Sequence, residues 1–279
     1  MTYFQYLGEI VGSNLSYLFL KMALKKPGCP ICRLRDQSEA RYLSNLLHEN
    51  VNDATTRNHI IASLGYCPKH TWQMGMLERE KYSDALGNSI IYENLVKVVQ
   101  SRITLYLEVR KKGQKYRTLK SLLSLLPFSE KIDSSSKSNS LEASVKAKCR
   151  VCQLGEQTEQ SNLFWLLEDL SSSTPELCEL YLSSDGLCFH HLRQILLFKD
   201  PRIESGIFFV AEDAIGRLSD LGGNLGNYHR KHAWDRRFEV KTDAEQLSWL
   251  RALRFFGGNE DEAAQLGTQK YILLYSKKE

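Results

Sequence analysis

The sequence of 279 residues is poor in proline, with six, and it has no long uncharged hydrophobic run. Few prolines among many leucines favour α-helix, because proline is the residue that most strongly breaks one. The apolar stretch YLFLKMAL, residues 17–24, contains a lysine, and no stretch reaches the roughly 18 uncharged apolar residues that a membrane helix needs. No basic leader with a small-residue cleavage site precedes it. We therefore expect a soluble cytoplasmic protein with no membrane partner.

The composition is that of a globular protein, with 42% hydrophobic and 25% charged residues, and the length allows two modest domains. The net charge of +4 is unevenly distributed. Residues 1–128 carry 18 basic and 10 acidic side chains, whereas residues 149–224 carry 5 and 12. A basic part beside an acidic part favours attraction between the halves, or self-association, over a general affinity for nucleic acid.

Two segments of the sequence superimpose at an offset of about 120 residues, which predicts an internal repeat. GCPICRLRDQSEA, residues 28–40, matches KCRVCQLGEQTEQ, residues 148–160. GYCPKH, residues 65–70, matches GLCFHH, residues 186–191, with one residue inserted. Leucines at 163, 166 and 167 match leucines at 43, 46 and 47, and their spacing places them on one face of a helix.

The stretch between the two copies, residues 129–148, contains seven serines and four lysines. It has too little apolar surface to support an ordered core, so we interpret it as a flexible linker. The predicted organisation is therefore a first helical unit at residues 1–128, the linker, and a second helical unit with a tail helix at residues 149–279.

Each copy supplies C-x2-C, then 34 or 35 residues, then C-x2-H. A C-x2-C turn brings two sulfurs together, and C-x2-H at a helix start places its two side chains on one face. Unpaired N–H groups at a helix start also favour thiolate. Three sulfurs and one nitrogen form a closed tetrahedral set that suits structural zinc. We expect each copy to close its own site, giving two zinc ions held by these ligands: Cys29, Cys32, Cys67 and His70; Cys149, Cys152, Cys188 and His191.

Other interpretations of these cysteines stay open. They include an iron–sulfur cluster on three cysteines and one histidine, redox-active disulfide pairs, and buried cysteines that bind nothing. Redox pairs would leave the two C-x2-H motifs unexplained. The seventh cysteine, Cys178, lies among apolar residues at helical spacing and has no counterpart in the first copy. We expect it to be a core residue.

The C-terminal part, residues 227–258, mixes cations with aromatic side chains. Interleaved charge and rings could bind phosphate or single-stranded nucleic acid, through a cluster of five residues: His229, Arg230, Lys231, Arg236 and Arg237. The preferred interpretation is a solvated helix end whose aromatics pack inward and whose arginines pair with nearby acids. Residues 243–257 read as a closing amphipathic helix with a Gly-Gly stop. GGNLG, residues 222–226, lacks the strand and the Lys-Ser/Thr of a phosphate loop, and we expect it to break a helix ending near Leu221.

The pattern as a whole resembles a bacterial family catalogued as domain of unknown function 6062. The resemblance is carried by CPIC at 29–32, GYCPKH at 65–70, CRVC at 149–152, GLCFHH at 186–191, and the tail KHAWDRRF…DAEQLSWLRAL. It implies a helical protein with paired Cys/His motifs and brings no assigned activity.

The predicted fold is therefore all-α: two tandem helical repeats, each with a Cys3His metal knuckle, plus a C-terminal capping helix. The predicted function is a non-catalytic, zinc-stabilised scaffold or interaction protein with a protein partner. Two alternatives remain: a nucleic-acid-binding protein that uses residues 110–120 and 228–238, and a thiol/zinc redox sensor.

Overall fold

The computed structural model describes residues 16–123 and 148–259, and all regular elements in those ranges are helices, as predicted. The side chains of residue 109 and residues 113–123 fall outside the description. We number the α-helices in chain order: α1 at residues 16–24, α2 Pro30–Asn45, α3 Ala54–Ala62, α4 Pro68–Tyr82, α5 Leu86–Leu123, α6 Arg150–Ser171, α7 Pro175–Ser183, α8 Phe189–Ile195, α9 Glu204–Arg230, α10 Asp243–Gln246 and α11 Ser248–Gly257. A π-helical turn at Leu46–Asn50 and a 3-10 turn at Pro201–Ile203 complete the set. No helix in the described ranges combines the length and apolarity that crossing a bilayer requires.

The described chain divides into two compact units that do not follow sequence order. Unit A comprises residues 16–37 and 156–259, and unit B comprises residues 38–123 and 148–155. These units differ from the predicted division into residues 1–128 and 149–279, because each unit contains residues from both sequence copies. All but the last residue of the predicted linker 129–148 lies outside the described residues.

Unit A is built on the leucine stripe that the sequence predicted for α6. Leu163, Leu166 and Leu167 are completely buried and pack with Tyr181 of α7. Helix α9 approaches α6 closely at Gly206, where a Cβ would collide with the carbonyl oxygen of Leu167. Each fully buried leucine contributes about 1.5–3 kcal/mol relative to an exposed one, so this stripe stabilises unit A.

Unit B has a second core, which includes leucines of α2 and its π-helical extension, Met74 of α4 and Ile91 of α5. The buried carboxylate of Glu78 accepts hydrogen bonds from the backbone N–H groups of Gly87, at 2.6 Å, and Asn88, at 3.0 Å. A carboxylate there satisfies unpaired donors at the start of α5 and complements the helix dipole. This contact fixes the end of α4 against the start of α5.

The predicted helix break at GGNLG is wrong, since α9 runs unbroken from Glu204 to Arg230. A Cβ at any of Gly222, Gly223 or Gly226 would meet nothing within 4 Å, so these glycines serve no close approach. Each costs about 1 kcal/mol relative to alanine. Burial of Leu221 and the packing of α10 and α11 on α9 offset that cost.

The tail of the chain contains the closing helix that the sequence predicted, in two pieces. Helices α10 and α11 together span residues 243–257, with a break at Leu247. Thr242 and Glu245 form a reciprocal capping box at the start of α10. The stop is Gly258, whose φ of +80° is a conformation that glycine adopts without strain.

Candidate metal centres

The structure gathers the eight predicted ligands into two compact groups. Cluster A comprises Cys29, Cys32, Cys188 and His191, and lies entirely in unit A; cluster B comprises Cys67, His70, Cys149 and Cys152, and lies entirely in unit B. Within each cluster the four ligand atoms lie within 4.8 Å of one another.

The predicted pairing of the half-sites is wrong. Each cluster joins the C-x2-C of one sequence copy to the C-x2-H of the other, so neither copy closes its own site. The physical reason is helix length: α2 has 16 residues and α6 has 22, which corresponds to about 24 Å and 33 Å at 1.5 Å per residue. A long helix that begins at a C-x2-C carries the chain away from those two cysteines. The next C-x2-H of the same sequence copy therefore lies in the other unit.

All four half-sites sit at helix starts. Cys67 and Cys188 are the N-cap residues of α4 and α8, and the histidine three residues later completes the first turn. Cys29 and Cys149 immediately precede α2 and α6, and their backbone oxygens accept the first hydrogen bonds of those helices. Each helix start therefore places two ligands one turn apart, with unpaired N–H groups nearby that favour thiolate.

The distances within both clusters fit one tetrahedral metal ion. Nδ1 of His191 lies 3.1–3.6 Å from the sulfurs of cluster A, and Nδ1 of His70 lies 3.1–3.5 Å from those of cluster B. One sulfur pair in each cluster is 3.6 Å apart. Zinc bonds of about 2.3 Å to sulfur and 2.0–2.1 Å to nitrogen predict tetrahedral edges of about 3.6 Å for N–S and 3.8 Å for S–S. The donor sets are thus compatible with a tetrahedral metal ion such as zinc.

A buried carboxylate contacts the outer nitrogen of each histidine. Glu159 Oε1 lies 3.2 Å from Nε2 of His191, and Glu39 Oε2 lies 3.1 Å from Nε2 of His70. Metal-bound histidines commonly turn their second ring nitrogen to a carboxylate, which fixes the ring and strengthens the ligand. Each carboxylate in turn faces a cation at ion-pair distance, Arg35 at 2.9 Å from Glu159 and Lys69 at 2.7 Å from Glu39.

The electrostatics keep both carboxylates ionised. Burial alone would raise the pKa of Glu159, but the contact with His191 and the charge of Arg35 outweigh burial and hold that pKa at about 2. The pKa of Glu39 is also lowered, because His70 and Lys69 together outweigh the burial that would raise it. Glu159, His190 and His191 also lie close enough to suggest a further metal group. Because Nδ1 of His191 faces the sulfurs, we interpret Glu159 as a support of cluster A.

Glu39 and Glu159 are functional candidates that the sequence interpretation missed. They occupy matching positions in the two copies, seven residues after the second cysteine of each C-x2-C. The available signal was an acid conserved between the copies two helical turns beyond a ligand. The sequence offered no reason to link these acids to a metal site. Each acid follows the cysteines of one cluster along the chain but contacts the histidine of the other cluster, which only the structure shows.

We expect Glu159→Gln to weaken metal binding at cluster A by about 10- to 100-fold, the usual cost of losing such a support. Glutamine keeps the shape but loses the charge that faces His191 and Arg35. Competition with a chromogenic chelator measures the affinity. The control is Glu179→Gln, an exposed acid of α7 in the same unit. Equal metal affinities for the two variants would contradict the assigned role.

The two clusters differ in how they are covered. Gly258 and Asn259 lie against cluster A: a Cβ on Gly258 would be 3.2 Å from the Cys32 sulfur, and the Asn259 amide donates to the carbonyl of Cys29 at 3.0 Å. All four ligands of cluster A are buried. In cluster B only His70 is buried, and its three cysteines are partly exposed.

None of the five basic candidates for nucleic-acid contact is a member of cluster A or cluster B. Arg230 and Arg236 face acids at 3.5 and 3.7 Å, as the preferred interpretation predicted for the arginines, and Lys231 also faces an acid, at 2.8 Å. The inward packing of the aromatics is wrong, since Trp234 is 78% exposed and Phe238 is 82% exposed. The guanidinium of Arg237 lies over both rings, at 3.6 and 4.7 Å from their centroids, which holds the rings at the surface. His229, the fifth candidate, lies in the last turn of α9 beside this segment.

Comparison with known proteins gives one family and no relative of known structure or activity. No curated protein and no solved structure matches the chain. Residues 19–204 match a family of unknown function, DUF6062, over two thirds of the chain. That range contains all eight cluster ligands with Glu39 and Glu159, whereas the tail at residues 231–253, which had contributed to the resemblance, lies beyond it. The chain thus belongs to the DUF6062 family, and its two Cys/His clusters fall within the part that defines membership.

Proposed function

We propose that this protein is a zinc-stabilised, non-catalytic scaffold or interaction protein of the cytoplasm, with one structural zinc ion in each cluster. The observation that carries the proposal is that each cluster brings four side-chain donors within 4.8 Å of one another, with one sulfur pair 3.6 Å apart, and so offers a full set of four ligands. Catalytic zinc sites commonly have three protein ligands and leave the fourth position to water or substrate. A full set of four ligands suits a metal that holds helices together.

Zinc fits the clusters better than an iron–sulfur cluster does. A multi-iron cluster spreads its four protein ligands over at least two iron atoms and so holds the ligands of different irons well apart, whereas all four ligand atoms of each cluster here lie within 4.8 Å of one another. The set of three thiolates and one imidazole is common in structural zinc sites. Seven unpaired cysteines are also consistent with a reducing compartment such as the cytoplasm.

Exposed aromatic side chains support the idea of a protein partner. Trp234 and Phe238 in unit A are mostly exposed, and Arg237 lies between them. In unit B, Trp72 of α4 is 75% exposed. Tryptophan and arginine are the residue types that most often dominate binding energy at protein interfaces. Nucleic-acid binding is less favoured, because three of the five candidate cations already face acids.

Cobalt substitution tests whether the clusters are structural. We expect two cobalt ions per chain, with the visible bands of tetrahedral, thiolate-bound cobalt, and no spectral change when azide or cyanide is added. Exogenous ligands need a free coordination position, and four protein donors leave none. A spectrum that shifts with azide would indicate an open position and would overturn the non-catalytic proposal.

A further inference from the structure

Clusters A and B are built from equivalent residues, so the chain contains its own internal comparison. Cys32 and Cys188 form the 3.6 Å sulfur pair of cluster A, and the matching residues, Cys152 and Cys67, form the 3.6 Å pair of cluster B. In each cluster the histidine nitrogen is 3.1 Å from the sulfur of its own C-x2-H cysteine. Any difference in reactivity between the clusters must therefore come from their surroundings.

The surroundings differ chiefly in access from solvent. The three cysteines of cluster A are at most 5% exposed, and Gly258 and Asn259 close over two of them, Cys32 and Cys29. All three cysteines of cluster B are more exposed than this. Oxidants react with thiolates that they can reach, so burial protects cysteines whose intrinsic chemistry is the same.

We propose that cluster B is an oxidant-responsive metal site, in which peroxide joins Cys67 to Cys152 and releases the metal, while cluster A keeps its own. This inference rests on the proposed function, because it assumes that both clusters hold zinc. The two thiolates lose one electron each and form the S–S bond, and the O–O bond of hydrogen peroxide breaks to give two hydroxide ions. Zinc leaves unchanged as Zn²⁺, because Cys149 and His70 alone are too few ligands to retain it.

The geometry points to one disulfide. The sulfurs of Cys67 and Cys152 lie 3.6 Å apart, at the starts of α4 and α6. A disulfide between them joins the same two helix starts that the metal joined. A thiol reductant would reverse it and restore the ligand set. Oxidation therefore changes the metal content of cluster B and leaves that of cluster A unchanged.

The test uses the full chain with both zinc ions bound and with Cys178→Ser, which removes the thiol outside the clusters. Dilute hydrogen peroxide is added with a chromogenic zinc chelator, and the disulfides are mapped by differential alkylation. We expect one zinc per chain to be released at least about ten times faster than the second, in keeping with the difference in access. The first zinc should appear together with a Cys67–Cys152 disulfide and return to the protein after reduction.

The Asn259→Ala variant tests in the same experiment whether coverage protects cluster A. It removes the side chain that donates to the Cys29 carbonyl, so release from cluster A should accelerate several-fold while release from cluster B stays unchanged. Equal release rates from the two clusters in the starting protein, or a first disulfide between Cys32 and Cys188, would overturn the proposal. Retention of both zinc ions would also overturn it and would leave the structural role intact. A folded protein that never held zinc would instead refute the proposed function.

Discussion

Removal of zinc with a strong chelator should abolish most of the helical circular-dichroism signal and the cooperative thermal transition. The cysteines of cluster A belong to the buried core of unit A, so losing the metal leaves thiol groups facing one another inside that core. Structural zinc in small domains contributes about 10–16 kcal/mol of apparent binding energy. That equals or exceeds the roughly 5–15 kcal/mol by which a folded domain is usually stable. The metal-free chain should therefore have no stable native fold.

The control for this experiment lies in the same unit. Cys178 packs against the core of unit A but belongs to neither cluster, so Cys178→Ser should bind zinc normally and lose its fold only with chelator. Adding zinc back should restore the helical signal. A chelated protein with an unchanged melting curve, and no residual metal by elemental analysis, would show that the clusters do not support the fold.

The helices and the ligand types follow directly from the sequence. The spacing of Leu163, Leu166 and Leu167 predicted one buried face, and all three are fully buried. The closing helix at residues 243–257 was predicted from its own leucines and the glycines that end it. Local patterns of this kind depend on residues within a few turns of each other, which is why sequence periodicity is sufficient to find them.

The pairing of the half-sites could not be predicted in the same way. The sequence contains two C-x2-C motifs and two C-x2-H motifs, and the spacing alone allows either C-x2-C to pair with either C-x2-H. The choice depends on where α2 and α6 lead the chain, which is a property of the tertiary fold. The support by Glu39 and Glu159 was hidden for the same reason.

The exposed aromatic residues of the tail could not be predicted from the sequence for a different reason. Sequence reasoning placed Trp234 and Phe238 inside, since large apolar side chains are usually buried. In the structure, the segment that carries them is held by Lys231, which donates to the carbonyl of Val240 at 2.7 Å and pairs with buried Glu245. Polar contacts fix the backbone there, so the rings can remain at the surface with Arg237.

The zinc content of two double variants tests the cross-copy clusters most directly. Cys32→Ala with Cys188→Ala removes two ligands from cluster A and none from cluster B, whereas Cys32→Ala with Cys67→Ala removes one ligand from each. Alanine offers no donor atom, and three remaining ligands should lose the metal to a competing chelator.

Native mass spectrometry in the presence of that chelator should find one zinc ion on the Cys32/Cys188 variant and none on the Cys32/Cys67 variant. Hydrogen exchange on the first variant should show protection retained in residues 38–123 and lost in residues 156–259. The opposite counts, no zinc on the Cys32/Cys188 variant and one on the Cys32/Cys67 variant, would mean that each sequence copy closes its own site, and would contradict the structure described above.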